Sequence, residues 1–351
     1  MAVTIKDIAR KAGVSHTTVS RALLGNPLIS LETTERIRRM AAEMGYRPSA
    51  AARSLKTNRS QALGVILSNI DDPYFSEVLQ GIESTAQQSG YSLFIAASQR
   101  DPEREAAIVR TMVEHRVEGV IICSSSFGAE RGRKFVEYGV PIVSVNNQAA
   151  EDYRYSIYHD DVDGSRQLTA HLIGLGHSCI GYLGNSLAGR TNLQRLAGYQ
   201  QEMKAAHGEL PAEYVSQVPY GDGNAITEAV EHFFHLHEPP TALVCYNDMM
   251  AIELLHDLQH RGIAVPRDIS ITGFDNIIFS AYTSPPLTTL DQPKRFIGEE
   301  AGRLLLSLLD GSQDERADTA DKVRVLRGRL LVRDSTAAPM AGLRGLLHVN
   351  E

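Results

Sequence analysis

From Ala62 onward, short apolar runs alternate with longer amphipathic stretches, and this alternation constrains the fold more than any other feature of the sequence. The runs are four to six residues long and rich in β-branched side chains, as strands buried on both faces are. Strand–helix alternation of this kind predicts a parallel sheet covered by helices on both faces.

The alternation occurs as two successive series. The first predicts strands at Ala62–Leu67, Tyr91–Ala96, Gly119–Cys123 and Pro141–Val145, and helices at Phe75–Ser89, Pro102–His115 and Ala129–Tyr138. The second predicts strands at Cys179–Leu183, Tyr214–Val218, Ala242–Tyr246 and Ile269–Thr272, and helices at Gly164–Leu175, Leu193–His207, Ala225–Leu236 and Met249–Arg261. Two series predict two α/β lobes, with a ligand-binding crevice at the carboxyl ends of the strands.

Charge is distributed unevenly between the two ends of the chain. Residues 1–60 hold eleven basic and four acidic side chains, a net charge of +7, whereas the remaining residues carry −14. A small basic segment joined to a large acidic body is expected when only the segment contacts a polyanion such as DNA.

Other features favour a cytoplasmic protein with no membrane partner. No apolar run approaches the ~20 residues that span a bilayer, and the N-terminus lacks the apolar region of a secretory signal. The three cysteines, Cys123, Cys179 and Cys245, are widely spaced and odd in number, which favours reduced thiols over disulfides.

The basic segment has the pattern of three short helices. Thr4 and Asp7 have capping-box spacing, and Gly13 is suited to end the first helix. Ser15 is suited to cap a second helix, whose inward face holds Thr18, Val19 and Ala22 and whose outward face holds His16, Thr17, Ser20 and Arg21. Ser30 begins a third helix that ends at Gly45. This is the helix-turn-helix plan, in which the second helix enters the major groove.

The run VTIKDIARKAGVSHTTVSRAL (Val3–Leu23) and the run TTERIRRMAAEMGYRPSAAARSLKTNRSQALGVI (Thr33–Ile66) resemble the lactose-repressor (LacI/GalR) family of bacterial transcription regulators. The resemblance implies a homodimer that binds a near-palindromic operator and changes its DNA affinity with a small effector. It also implies the fold class: an N-terminal all-α helix-turn-helix headpiece plus an α/β two-lobed, periplasmic-binding-protein-like effector domain. The chain of such a domain crosses between its lobes three times.

These inferences give the expected domain organisation. Residues 1–60 form the headpiece, with a hinge helix over about 48–57, and residues 61–338 form the effector-binding and dimerisation domain. The crossings are placed near Asp160, Asp291 and Asp321. Lobe 1 is then 61–160 and 292–321, lobe 2 is 161–291 and 322–338, and residues 339–351 form a tail.

The hinge helix is short, so we expect it to form only against its twin on DNA. The resemblance implies that Leu55 wedges into the minor groove at the operator centre. The residues expected to contact DNA are Thr4, Ser15, His16, Thr17, Ser20, Arg21, Asn26, Ser49, Ala52, Arg53, Leu55 and Lys56.

The effector-binding candidates follow the predicted strands. They are Tyr74, Phe75, Asn146, Asn147, Asp160, Arg190, Arg195, Asn247 and Asp275. Carboxylates and a guanidinium beside aromatic rings suit the hydrogen bonding of sugar hydroxyls. The family resemblance favours Arg195 and Asp275 as ligands, whereas the position of Asp248 directly before a helix favours a capping role.

The sequence predicts no enzyme, cofactor or metal site, because the nucleophile-elbow, zinc-protease and P-loop motifs are missing. A periplasmic sugar-binding protein would share the two lobes but lack the headpiece. The prediction is therefore a transcriptional repressor controlled by a sugar or sugar derivative, with a purine or another metabolite as the alternative. Whether the effector releases or strengthens DNA binding is left open.

Overall fold

The computed structural model describes residues 3–46, 59–123, 139–146, 155–208, 211–219, 221–311 and 323–340. The chain divides into two compact units, Met1–Ser60 and Gln61–Glu351. The hinge helix, the helix predicted over Ala129–Tyr138 and most of the predicted tail lie outside the described residues.

The first unit contains helices α1 (Ile5–Ala12), α2 (His16–Leu23) and α3 (Leu31–Glu43). Their apolar faces meet in one small core made of Ile8, Ala9, Val19, Ala22, Ile37 and Ala41. The predicted helix ends are present: Gly13 has a left-handed backbone after α1, and Ser15 Oγ accepts the backbone N–H of Thr18. The helix-turn-helix expected from the sequence is confirmed.

Six parallel strands form the sheet of the first lobe, in the order β11-β5-β4-β3-β1-β2. These strands are β1 (Ala62–Leu67), β2 (Ser92–Ala97), β3 (Gly119–Cys123), β4 (Ile142–Val145), β5 (Ser156–His159) and β11 (Val323–Leu326). The described helices of this lobe are α4 (Tyr74–Gln88), α5 (Pro102–Glu114) and α10 (Lys294–Leu309). Side chains of α4 and α10 pack with β1, β3 and β4 in its main core.

Four parallel strands form the sheet of the second lobe, in the order β7-β6-β8-β9. They are β6 (Ile180–Asn185), β7 (Val215–Val218), β8 (Ala242–Cys245) and β9 (Ser270–Thr272). The helices are α6 (Asp161–Gly174), α7 (Gly189–His207), α8 (Gly223–Phe234) and α9 (Asp248–His260), and short 3₁₀ turns lie at Ala212–Tyr214 and Ile278–Ala281. No helix in the described part of the chain is long and apolar enough to cross a membrane.

The lobes are joined by crossing segments that include a short antiparallel pair, β10 (Thr289–Asp291) with β12 (Arg329–Leu331). The expected third crossing near Asp321 is wrong. Val323–Leu326 still pairs with β5 in the first sheet, so the chain leaves the first lobe only after Leu326. The apolar alternation of VRVL resembles that of any half-buried strand, which is why its sheet could not be assigned from the sequence.

Candidate functional site

The outward face of α2 has the arrangement expected of a DNA-reading helix. His16, Thr17 and Arg21 are exposed, Ser20 is half-buried, and Val19 and Ala22 face the core of the headpiece. The capping bond from Thr18 N–H to Ser15 Oγ, 3.1 Å long, fixes where the helix begins. The first turn of α2 therefore presents polar side chains on a rigid support.

Two further candidates in the headpiece have local structural roles. The Thr4 N–H and hydroxyl both donate to Asp7 Oδ2, over 3.0 and 2.7 Å, and these bonds lower the pKa of Asp7. Asn26 Oδ1 accepts the N–H of Leu28 in the turn after α2. The candidates Ser49, Ala52, Arg53, Leu55 and Lys56 lie outside the described residues.

In the second unit, Arg195 lies at the centre of a buried polar cluster. Its guanidinium, on α7, donates from Nε to Asp161 Oδ1 over 3.1 Å and from Nη2 to Asp275 Oδ1 over 3.3 Å. Its Nη1 donates to the carbonyl of Tyr246 over 2.6 Å. The guanidinium carbon also lies 3.7 Å from the centre of the Phe274 ring, a cation–π geometry. All of these partners belong to the second lobe.

Burial and charge have opposite effects on the three ionisable groups of this cluster. Burial alone would raise the pKa of Asp161, but Arg195 and His159 outweigh it and lower that pKa. Burial raises the pKa of Asp275 to about 8, although Arg195 partly offsets the effect. The two aspartates raise the pKa of Arg195 in spite of its burial. Arg195 and Asp161 therefore form the ionised pair, and Asp275 titrates near neutral pH.

A continuous line of hydrogen bonds connects this cluster to the first lobe. Gln292, in the crossing segment after β10, donates from Nε2 to Asp275 Oδ1 over 2.6 Å. Its Oε1 accepts the hydroxyl of Tyr74 over 3.4 Å, and that hydroxyl accepts Nδ2 of Asn146 over 2.6 Å. We call Asn146, Tyr74, Gln292, Asp275 and Arg195 the cleft relay. It joins the carboxyl end of β4 in the first lobe to α7 in the second.

Some atoms at these strand ends are not satisfied within the protein. Three buried atoms have no hydrogen-bond partner among the described residues: Asn146 Oδ1, Ser68 Oγ and Asn185 Nδ2. Ser68 follows β1, Asn146 follows β4 and Asn185 ends β6, all at the carboxyl ends of parallel strands. Buried polar groups are normally paired, so these three are available to a bound molecule.

The backbone is strained at the same place. Asn146 and Asp275 have φ values of 55° and 113°, in the left-handed region that residues other than glycine seldom adopt. Such conformations persist where the surrounding structure holds them, and they concentrate at functional sites.

The other effector candidates are distributed differently. Phe75 is buried in the core of the first lobe, and Arg190 is exposed in the first turn of α7. Asp160 caps α6 by accepting the N–H of Asp163. Asn147 lies outside the described residues.

The capping role expected for Asp248 is wrong. Asn247 is the N-cap of α9, since its Oδ1 accepts the N–H of Met250. Asp248 is the first helical residue, and its carboxylate accepts the Thr289 hydroxyl and the Ile277 N–H over 2.5 and 2.8 Å. The neighbouring Asn was as good a capping residue as the Asp, and the sequence did not decide between them.

Sequence reasoning missed Gln292 and Asp161. Asp161 directly follows Asp160, and nothing in the sequence distinguishes these two aspartates as candidates for the strand end. Gln292 lies after β10, whose three residues carry no strand periodicity. Its only signal was its position beside the predicted crossing at Asp291.

Two family models match the chain. One, described as bacterial regulatory proteins of the lacI family, matches residues 4–49, and the other, described as a periplasmic binding protein-like domain, matches residues 169–336. Both parts of the expected fold class are thereby confirmed.

Similar proteins extend the match to most of the chain. The HTH-type transcriptional repressor PurR of Aliivibrio salmonicida is 33% identical, over 89% of this chain and 94% of that protein. A solved structure of the lac repressor dimer bound to operator and the anti-inducer ONPF superimposes with a TM-score of 0.84 at 27% identity, covering 96% of this chain and 100% of that one. A putative ribose operon repressor from Burkholderia thailandensis gives 0.68 at 30% identity, covering 78% of this chain and 99% of that one.

Proposed function

Because this chain belongs to the lacI family of bacterial regulatory proteins and is an effector-controlled, DNA-binding repressor, we propose that its effector is a small polyhydroxylated molecule, a sugar or sugar derivative, bound along the cleft relay. Like its relatives it is a regulator and not an enzyme. We further propose that residues 1–60 serve as the headpiece and residues 61–338 as the effector-binding and dimerisation domain.

The observation that carries this proposal is the hydrogen-bond line from Asn146 through Gln292 to Asp275. A ligand lying along it meets groups from both lobes, and so binds the closed arrangement of the lobes better than an open one. Both bonds to the Asp275 carboxyl use Oδ1, which leaves Oδ2 for the ligand. Asn146 Oδ1 offers an acceptor and Ser68 Oγ a hydroxyl for ligand hydroxyl groups.

Two observations bear on the class of effector. Planar amide, carboxylate and guanidinium groups predominate in the relay, and these suit the paired hydrogen bonds of vicinal hydroxyls. The 30% identity to a ribose operon repressor agrees with a sugar. The similarity to PurR repressors favours a purine instead, which is our second candidate.

For DNA recognition, we propose that His16, Thr17 and Arg21 contact base edges in the major groove, with Ser20 beside them. Thr4, Ser15 and Asn26 lie at helix ends or turns and are suited to phosphate contacts. The hinge residues Ser49, Ala52, Arg53, Leu55 and Lys56 stay predictions, with Leu55 as the minor-groove wedge.

We also propose that the protein acts as a homodimer on a near-palindromic operator in the cytoplasm, where the chromosome lies. One short segment with exposed apolar side chains supports the dimer. It holds Ile278, which is 65% exposed, Phe279, which is 52% exposed, and Tyr282, which is 80% exposed. Apolar side chains clustered in this way mark a protein–protein interface.

The test has two stages. An operator is first selected in vitro from random DNA with the full-length protein. Thermal-shift measurements then screen sugars, sugar phosphates and purine bases, and each stabilising compound is titrated into the protein–operator complex. The proposal expects a sugar that raises the melting temperature of the wild type and not of Asp275→Asn. Stabilisation by a purine base alone would establish the second candidate, and equal stabilisation of the Asp275→Asn variant would refute the cleft relay as the binding site.

A further inference from the structure

Lys294 is a buried lysine at the first position of α10, and its side chain is only 1% exposed. Its ammonium donates to the backbone carbonyls of Asp275 and Asn276 over 2.5 and 2.8 Å, and it lies 3.2 Å from Glu77 Oε1. An ammonium has three N–H donors and no acceptor, so these three partners satisfy it completely. A buried charge without such partners would cost several kcal/mol.

The three partners come from both lobes. Glu77 lies on α4 in the first lobe, whereas Asp275 and Asn276 follow β9 in the second. Lys294 thus connects a first-lobe helix to the backbone of Asp275, a member of the cleft relay.

The first-lobe side of this connection is rigid. A Cβ on Gly81 of α4 would overlap the carbonyl of Arg295, and a Cβ on Gly298 of α10 would overlap the carbonyl of Val78. The two helices therefore touch backbone to backbone through their glycines. Since both helices also contribute to the main core of the lobe, a shift of Lys294 displaces them together.

The second-lobe side is strained. Asp275 and Asn276 are consecutive residues with left-handed backbones, at φ values of 113° and 51°. Their N–H groups are held from the crossing segment, by the Leu290 carbonyl and the Thr289 hydroxyl. Their carbonyls are held by Lys294. A strained conformation of this kind needs external contacts to persist, and Lys294 supplies two of them.

We propose that Lys294 is a positioning residue that holds the Asp275–Asn276 backbone against the α4–α10 helix pair, and that it transmits effector binding from the second lobe to the first. The transmission rests on the proposed function of the cleft relay. When a ligand engages the Asp275 side chain, any movement of that backbone moves the acceptors of the Lys294 ammonium, and the rigid helix pair moves with them.

The positioning role is tested by hydrogen–deuterium exchange on the full-length protein without ligand, in peptides covering residues 274–280. Lys294→Met should speed exchange there about fivefold or more, because two backbone carbonyls lose their donor and the segment opens more often. Glu77→Gln removes the charge of the third partner of the ammonium. Because the Glu77 side chain is 43% exposed, the loss is smaller, and exchange should speed up about twofold. Arg303→Met, on the same helix but in exposed ion pairs with Glu299 and Glu300, should leave it unchanged. Wild-type exchange in Lys294→Met refutes the role, and if that variant does not fold, wild-type exchange in Glu77→Gln refutes it.

Transmission is tested with the operator and the compound found by the screen above. The ratio of operator Kd with and without that compound should move about threefold or more toward one in Lys294→Met, with a smaller change in the compound's own Kd. If the compound binds more weakly while the ratio of the two operator Kd values is unchanged, Lys294 only shapes the effector site, and the proposed transmission is overturned. If no compound binds, the proposed effector site fails, while the exchange measurement still decides the positioning role.

Discussion

Gln292 donates a hydrogen bond from its side-chain Nε2 to Oδ1 of Asp275 over 2.6 Å, and this bond joins a crossing segment to the second lobe. The Oε1 atom of the same amide accepts a hydrogen bond from the hydroxyl of Tyr74 in the first lobe. One buried side chain therefore bridges the two lobes where the chain passes between them. Its geometry is sensitive to the separation of the lobes, which is what an effector-controlled domain requires.

Gln292→Leu should weaken effector binding by up to about tenfold, since the protonated Asp275 carboxyl loses a donor and a hydrogen bond between neutral groups is worth about 0.5–1.5 kcal/mol. Isothermal titration with the compound from the screen measures the loss. Gln167→Leu is the matched control, because Gln167 also joins the second lobe to a crossing segment, through Leu330, but lies outside the cleft relay. Equal loss in both variants would contradict a specific role for Gln292.

Arg195→Met should destabilise the protein by about 3–5 kcal/mol, because it leaves the ionised Asp161 buried without its cation and removes a hydrogen-bond donor from Asp275. Urea unfolding at neutral pH measures the change. Arg190→Met is the control on the same helix, and since Arg190 is exposed it should alter stability by less than about 0.5 kcal/mol. Comparable stabilities for the two variants would show that the buried pair contributes little.

The fold was largely predictable because its signals are local. Buried runs such as Ala62–Leu67 and Gly119–Cys123 have the periodicity and composition of parallel strands, and the structure gives them the same bounds. Helix α7 begins at Gly189, four residues before the predicted start at Leu193, because its first turn has no apolar stripe to detect. Strands β5, β10, β11 and β12 were not predicted, since runs of three or four residues are too short to show a clear periodicity. Helix α10 was also not predicted, although its buried Ile297, Ala301 and Leu305 recur at helical spacing.

The site was predictable only in part. Arg195 and Asp275 were selected through the family resemblance, and the structure brings them together. Lys294 could not be selected, because an isolated lysine in the sequence QPKRF is most simply a solvated side chain. Its burial follows from the contact between α10 and α4 and the turn after β9, which are remote in sequence.

Arg21→Ala should weaken operator binding by about 1–3 kcal/mol and relax the base preference at one operator position, as loss of a bidentate arginine–guanine contact does. Fluorescence anisotropy with the selected operator and its single-base variants measures both effects. Arg38→Ala, on the exposed face of α3, should weaken all sequences alike and lower the salt dependence. Unchanged affinity of Arg21→Ala at low salt would remove Arg21 from the base-reading set.

Phe279→Asp should convert the proposed dimer to monomers, because it puts a charge in the exposed apolar segment that also holds Ile278 and Tyr282. Sedimentation velocity of the free protein gives the oligomeric state. Leu193→Asp is the control, since Leu193 is exposed to a similar degree on α7. A Phe279→Asp variant that sediments as the wild type would exclude this segment from the interface.

Asp248→Asn should change how stability depends on pH. Burial raises the pKa of Asp248 to about 7, from the 3.8 of the free side chain, so the folded state binds a proton that the unfolded state has lost between these values. The stability that the neutral Asp248 carboxyl contributes is fully present below pH 3.8 and is lost as the pH rises toward 7.

Asparagine has the same shape and does not titrate. Relative to wild type, Asp248→Asn should therefore gain about 2–3 kcal/mol of unfolding free energy between pH 5 and pH 8, measured by urea unfolding at each pH. Asp268→Asn provides a control of opposite sign, since a hydrogen bond from Arg267 lowers the pKa of Asp268 and its carboxylate stays ionised throughout this interval. Its stability difference from wild type should be constant from pH 5 to pH 8. A constant difference for Asp248→Asn as well would show that Asp248 is already ionised at pH 5 in the folded protein.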